Sequence, residues 1–449
     1  MHKNSDELII SLFFPPSDYV SGITVFKRIL NNEKAVDVLK LKDESKNTDF
    51  DSVNPFINKK IVLDLDCDMD YPSCVFKSLK EYSKLITGSY KKIYSRSWVM
   101  QNHFIALDYK LNHPDVFWCA EFSDPLILKL NHKVRDNKKY MVDNSKFIDL
   151  INGHIIRLNE KNNSQFPLLE NGISLFYICE YLTYLFSDKI IFTNENQRKM
   201  MLDEFPVSLS EFVLNKSEIQ MHPTLNEKFY HIKDARIDLD DDKINFAYFG
   251  RDYYGQRHFE SLFYAVESLN HKFKDKLQVY IFIENPKQIK KLIKPLKSHK
   301  NFIVKKPMKY FEFLNATTKF DVLIVNDVVT GDSWPINPYL PSKLSDYMGS
   351  SADIWAFYEK ESTLSDFDLK YKSDITDFKD CRNQLIEILK DYGYDDENYS
   401  VNEDYFLERL TTLNKLYDSE FKRNIKLKKE NNENSHSGSW KLTKSLFKK

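Results

Sequence analysis

The chain has 449 residues, with 65 Lys and Arg against 66 Asp and Glu (formal net charge −1), and is 42% hydrophobic and 14% aromatic. That balance excludes an intrinsically disordered chain and argues against a nucleic-acid partner, which calls for a basic field, while the length suits two or three domains of about 100–200 residues each. The five Cys, at 67, 74, 119, 179 and 381, show no CxxC spacing, which implies a reducing compartment without a disulfide framework or zinc site; the N-terminal apolar run is too short for a signal peptide, and no run approaches the ~18 residues of a spanning helix.

In chain order, "ELIISLFF" (7–14), "KIVLDL" (60–65), "KKIYSRS" (91–97), "DVFWCAEF" (115–122) and "DKIIFTN" (188–194) read as short β-rich strands. Between them, "GITVFKRILNN" and "QNHFIALDYKL" carry helical spacing. Strand followed by helix, repeated, predicts a parallel sheet covered by helices on both faces. The stretch 222–243 is charged, bears a Pro and lacks apolar periodicity, so it breaks the pattern as a linker. Alternation then resumes with "INFAYFG" (244–250), "LQVYIFIEN" (277–285), "NFIVKKPM" (301–308) and "DVLIVND" (321–327), separated by helical segments. The expected fold class is α/β, with two Rossmann-like, doubly wound domains in tandem. Their boundaries fall at 1–225, a linker at 226–243, 244–400, and a C-terminal helix and tail at 401–449. Such sheets bind ligands at the carboxyl ends of their strands, so two facing sheets create a cleft. The tail "FKRNIKLKKENNENSHSGSWKLTKSLFKK" (421–449) holds nine Lys or Arg against two Glu, with Trp440 and Phe447 among them. It reads either as a solvated end or as a segment that touches anionic lipid or a second protomer.

Two strand ends carry anion-binding chemistry. After the strand ending at Gly250, Arg251 and Arg257 follow around a turn, two of only 11 Arg in the chain. A Gly admits close backbone approach, and Arg grips phosphate oxygens bidentately. In "PSKLSDYMG", Ser342 stands at a predicted helix start, Lys343 beside it and Asp346 one turn on. Backbone N–H groups and Lys343 suit a diphosphate, and Asp346 suits a ribose diol. "DLDCDMD" (64–70) looks like a metal-binding or DxD segment, but degenerate spacing makes an acidic loop the simpler reading, and no metal is assigned. No GxSxG, HExxH, GxxxxGK[ST] or GxGxxG occurs, which disfavours hydrolase, protease, P-loop and dinucleotide-dehydrogenase chemistry.

"FGRDYYGQR" (249–257) and "PSKLSDYMGSSADIWA" (341–356) resemble the strand-turn-arginine segment and the P-[ST]-K-x-x-[ED]-Y helix start of retaining GT-B glycosyltransferases of the large family-4 group. "FPPSDYVSGITVFKRI", "VFWCAEFSDPL" and "SDKIIFTNENQRKMM" resemble the family's first-domain loop and cleft-wall segments. The closing "SGSWKLTKSLFKK" resembles an ending seen in cell-surface polysaccharide glycosyltransferases. The resemblance implies a nucleotide-diphosphate sugar as co-substrate, with no further cofactor and no metal. It places Arg251, Arg257 and Lys343 on the donor diphosphate, Asp346 on the ribose and Gly22 in the loop facing the phosphates; Gly250, Ser342 and Asp327 complete the expected donor side. On the acceptor side His103, Glu121, Asp124 and Glu195 are the candidates, each also open to a structural role as a helix cap or strand-end residue. Two departures from the family stand out: Pro338 occupies the place of the first residue of its glutamate pair, and Ala120 the place of its common His. The implied activity is transfer of a sugar to a cell-envelope saccharide or polymer at the cytoplasmic face of a membrane. A non-catalytic glycosyltransferase-like subunit, a nucleotide-sugar epimerase of the same architecture and a metal-dependent GT-A enzyme are the alternatives.

Overall fold

The computed structural model describes residues 5–17, 19–43, 48–86, 88–250, 259–394 and Tyr399. The first sheet is built from β1 (Glu7–Ile10), β2 (Val36–Leu41), β3 (Ile57–Leu63), β4 (Lys92–Ser97) and β5 (Phe117–Phe122). A short hairpin, β6 (Met141–Val142) with β7 (Ile173–Ser174), precedes its last strands, β8 (Lys189–Phe192) and β9 (Ser217–Ile219). The second sheet comprises β10 (Ile244–Gly250), β11 (Leu277–Ile283), β12 (Phe302–Lys305), β13 (Val322–Asn326), β14 (Asp353–Tyr358) and β15 (Tyr371–Asp374). In the first domain the helices are α1 (Val20–Asn32), α2 (Pro72–Leu85), α3 (Gln101–Asn112), α4 (Ser145–Asn162), α5 (Leu175–Phe186), α6 (Glu195–Leu202) and α7 (Val207–Leu214). The second domain has α8 (Glu260–Ser268), α9 (His271–Lys274), α10 (Pro286–Ile293), α11 (Tyr310–Thr317), α12 (Lys343–Tyr347) and α13 (Phe378–Asp391).

Both large sheets are parallel throughout, in the orders β3-β2-β1-β4-β5-β8-β9 and β12-β11-β10-β13-β14-β15. The order reverses between β1 and β4 and again between β10 and β13, so each domain has one switch point where strand ends diverge and leave a crevice. Central strands such as β11, "LQVYIFI", are buried along their whole length, as a sheet covered on both faces requires.

Three apolar clusters fill the molecule. One lies under α2, α3 and α5 of the first domain, and another under α8, α10 and α13 of the second. The third passes from one domain into the other: Ile9, Val38 and Phe26 of the first join Phe249, Phe282 and Phe311 of the second. At that junction Phe50 stacks on Tyr310, and Phe26 meets Phe311 edge-on at 6.0 Å.

Several expectations are corrected here. Cys67 and Cys74 are bridged, with Cα atoms 5.6 Å apart, while Cys119, Cys179 and Cys381 are buried thiols. Residues 222–243 join the two sheets without a strand or α-helix and are packed down along the way: Tyr230 is fully buried, its hydroxyl donates to the Asp346 carbonyl at 2.6 Å, and the Ala235 N–H donates to Asn315 Oδ1. The helix expected from Ser342 is only five residues long and ends at Tyr347; "DIWAFY" beyond it is strand β14. No helix among the described residues is long and apolar enough to cross a membrane. The basic tail, with Trp440 and Phe447, lies outside the described residues.

Candidate active site between the two domains

A cavity of about 420 Å³ lies where α1 of the first domain faces the carboxyl ends of the second sheet. Val20, Ile23, Thr24 and Lys27 of α1 form one wall, Phe249 and Gly250 at the end of β10 the floor, and Lys306 to Tyr310 with Ser342, Lys343 and Asp346 the far side. Its walls mix aromatic faces with cations. Phe249 and Phe282 stack with centroids 4.5 Å apart, and the Lys343 ammonium sits 4.0 Å over the Phe313 ring. Lys27, Lys306, Lys309 and Lys343 face it against two carboxylates, Glu284 and Asp346. Such a surface accepts an anionic group at its lysines. Gly250 is needed at the floor, because a Cβ there would overlap the Tyr248 hydroxyl.

Gly250, Ser342, Lys343 and Asp346 are thus brought together on this cavity. Arg251 and Arg257 belong to a segment outside the described residues. Asp346, expected on a ribose, is already engaged: Oδ1 accepts from the Lys27 ammonium and from the Tyr310 hydroxyl, both at 3.0 Å, and the residue is 5% exposed. Burial pushes the Lys27 ammonium below its ordinary range, and Asp346 pulls it back up. Lys27 also donates to the Ser345 hydroxyl, so α1 is clasped to α12 across the domain junction. The sequence signal for this pair was a lysine on an otherwise apolar helix face, in "GITVFKRIL".

Three other expected donor and acceptor residues make structural contacts. Gly22 is not in a loop but in the first turn of α1, where a Cβ would overlap the Phe13 carbonyl oxygen; its smallness lets the helix close onto the loop after β1. Asp327 is fully buried, and its Oδ2 accepts from the Glu359 N–H at 2.9 Å and the Ser362 hydroxyl at 2.5 Å, fixing the turn beyond β14. His103 is buried on α3 with Nδ1 2.8 Å from the Ser95 hydroxyl and its ring against Phe122; burial, with Arg96 nearby, pushes it down to about 3, so it stays neutral.

Glu121 is also closed to solvent. Its carboxylate accepts from Arg28 Nε at 2.6 Å, Arg96 Nε at 2.9 Å and the Tyr94 hydroxyl at 2.5 Å. Burial alone would raise this carboxyl, but Arg28 and Arg96 outweigh it and hold it at about 2. Arg28 continues to Gln220 and to the Met221 carbonyl, and Arg96 to the Ser21 hydroxyl, so one carboxylate ties β4, β5 and α1 to the segment leaving the first domain. Glu195 is exposed and paired to Arg198 on α6. Its neighbours Asn194 and Asn196 reach the second domain, donating to the Pro338 and Asn337 carbonyls at 3.1 Å. Pro338 therefore contributes its backbone carbonyl to the domain contact.

Asp124 behaves differently. It follows Ser123 at the end of β5 and keeps its side chain accessible while protein crowds around it. That crowding shifts its carboxyl upward, with Arg96 and Arg135 pulling the other way.

No family model and no curated protein matches this chain. Among solved structures it is similar to a glycosyltransferase from Rickettsia africae, at 9% identity over 95% of this chain and 98% of that one, with a TM-score of 0.52. It is similar also to apo OtsA, at 9% identity over 92% and 94%, with a TM-score of 0.50. These are likenesses of fold. Two Rossmann-like domains facing across a cleft make this a GT-B architecture.

Proposed function

We propose that the protein is a glycosyltransferase that takes its sugar from a nucleotide-diphosphate donor held in the interdomain cavity. The observation that carries this reading is the cavity itself: lysines over an apolar floor meet at the carboxyl ends of β10, β11 and β12, with the opposite wall supplied by the first domain. Breaking a sugar–phosphate bond leaves negative charge on the departing diphosphate. Lys343, joined by Arg251 and Arg257 as the family resemblance implies, would stabilise that charge electrostatically, without a metal. The donor lies between two domains, so water is excluded and transfer is favoured over hydrolysis. Retention of configuration and a cell-envelope saccharide as acceptor follow from the resemblance; the basic tail supports work beside an anionic membrane.

The test is incubation with UDP-, GDP-, ADP- and TDP-sugars in EDTA, following nucleoside diphosphate release and the first anomer formed by proton NMR. We expect slow release from one donor class with the anomer unchanged, and Lys343→Ala to slow it by about 10²-fold while the protein stays folded. Release only after manganese is added would overturn the metal-independent mechanism. A sugar altered in configuration while still attached to its nucleotide would replace transfer with epimerisation.

A further inference from the structure

The first domain exposes two aromatic rings that its core does not need. Tyr19, at the entry to α1, is 41% exposed and Trp98, just past β4, is 46% exposed. Their ring centroids lie 4.7 Å apart at a 33° tilt, and they are the exposed aromatics in mutual ring contact among the described residues. Phe13 stands edge-on behind both, 4.7 Å from Tyr19 and 5.1 Å from Trp98.

The backbone beneath the rings is fixed. The Leu12 N–H donates to Asn102 Oδ1 at 3.1 Å and Asn102 Nδ2 donates to the Arg96 carbonyl at 2.7 Å, joining the loop after β1 to the end of β4. Gly22 lets α1 press onto the Phe13 carbonyl from the other side. The cluster therefore occupies the switch point of the first sheet, where strand ends diverge. Two neighbours define what it faces. Val20, next to Tyr19, already belongs to the wall of the cavity between the domains. Ser123 donates to the Ser97 carbonyl through its N–H at 3.2 Å and through its hydroxyl, so Trp98 and Asp124 leave the sheet from adjacent, hydrogen-bonded strand ends.

We infer that Phe13, Tyr19 and Trp98 form a stacking platform for a pyranose ring of the acceptor, with the Asp124 carboxylate beside it to accept hydroxyl protons; the assignment rests on the glycosyltransferase reading for its name, not for its chemistry. A pyranose has an apolar C–H face, which suits the negative face of an aromatic ring, and a rim of hydroxyl donors, which suits an acceptor-only carboxylate. A lipid chain would leave the carboxylate without use, and an anionic membrane surface would be repelled by it. Continuity with the cavity through Val20 places a sugar on the platform next to a donor sugar, as transfer requires.

The experiment is a titration of the full chain with maltose, cellobiose and the methyl glycosides of glucose, galactose and N-acetylglucosamine, followed by tryptophan fluorescence and by the Trp98 indole N–H signal. Trp98→Ala, Tyr19→Ala and Asp124→Ala are compared with Trp98→Phe. We expect at least one glycoside to shift the Trp98 signal, Trp98→Ala and Tyr19→Ala to weaken its binding by about tenfold or more, and Trp98→Phe to retain most of it. Asp124→Ala should weaken binding without moving the ring signals of the free protein. The inference is overturned if no glycoside perturbs Trp98, or if Trp98→Ala binds as well as the parent. It is overturned equally if phosphatidylglycerol vesicles sediment the parent but not Trp98→Ala, which would give the rings to a lipid surface. Nucleotide-sugar binding is titrated separately: glycosides bound at Trp98 with no nucleotide sugar bound would leave the platform standing and remove the transferase reading, and the converse would do the reverse.

Discussion

Glu121 shows how a catalytic-looking carboxylate is consumed by architecture. Two guanidinium groups and a phenol saturate it, so removing its charge leaves Arg96 uncompensated in a buried site. Glu121→Gln should therefore destabilise the fold by about 3–5 kcal/mol, read from urea midpoints at pH 7. Its carboxyl is held at about 2 against an ordinary 4.5, so its contribution is fully present above about 4.5 and is lost as the pH falls through about 2. The gap in stability between parent and Glu121→Gln should consequently narrow between pH 5 and pH 2.5; a gap that stays constant would contradict the assignment. Gly22→Ala meets a limit of space. Its methyl would overlap a backbone oxygen and force Phe13 to move, at about 1–3 kcal/mol for overpacking, with an altered Trp98 fluorescence as a second sign. What sequence offered at this scale was uneven. Residue type and strand-end position put Gly250, Ser342, Lys343 and Asp346 on one cavity, because strand ends are legible from apolar runs. Lys27 lies 319 residues from Asp346 and Arg28 93 from Glu121; a lysine on an apolar helix face hints that such a partner exists, but no local pattern says which.

Elements were legible where their apolar content was high. "QNHFIALDYKL" is α3 almost residue for residue, and "INFAYFG" is β10 in full. Strand β2 was missed because "VDVLKL" contains Asp37 and Lys40, both buried but satisfied: Asp37 by Asn58 and Tyr90, Lys40 by the Pro15 carbonyl. Polar residues inside a central strand hide it from any periodicity argument until their partners are known. The α1–α12 clasp makes the prediction at this scale. Lys27→Met alone leaves Asp346 buried beside Tyr310 without its cation and should cost about 3–5 kcal/mol, whereas Lys27→Met with Asp346→Leu should recover most of that. Calorimetric or urea unfolding of the three variants tests it: equal losses in the single and double variants would show that the pair is not coupled.

Across the whole molecule, the apolar cluster shared by both domains changes the expected mechanics. Domains joined by a small polar contact move independently. Here Phe26, Phe50, Tyr310 and Phe311 pack across the junction, and α1 is held to α12 by a buried ion pair. Calorimetry should accordingly show one cooperative transition, and two well-separated transitions would contradict a shared core. The tandem of doubly wound domains was readable from strand–helix alternation. The closeness of their docking was not, because the aromatic residues that join them look in sequence like any other core residues.

The central claim is that this junction holds a nucleotide-diphosphate sugar, and calorimetric titration with UDP-, GDP-, ADP- and TDP-glucose in EDTA addresses it most directly. The parent is compared with the double variant Lys306→Glu/Lys309→Glu, whose side chains lie at the exposed rim of the cavity and leave the core untouched. Saturable binding of one nucleotide class is expected, weakened by about tenfold or more in the variant and by added salt. Binding of no nucleotide sugar, or binding indifferent to the charge reversal, would contradict it.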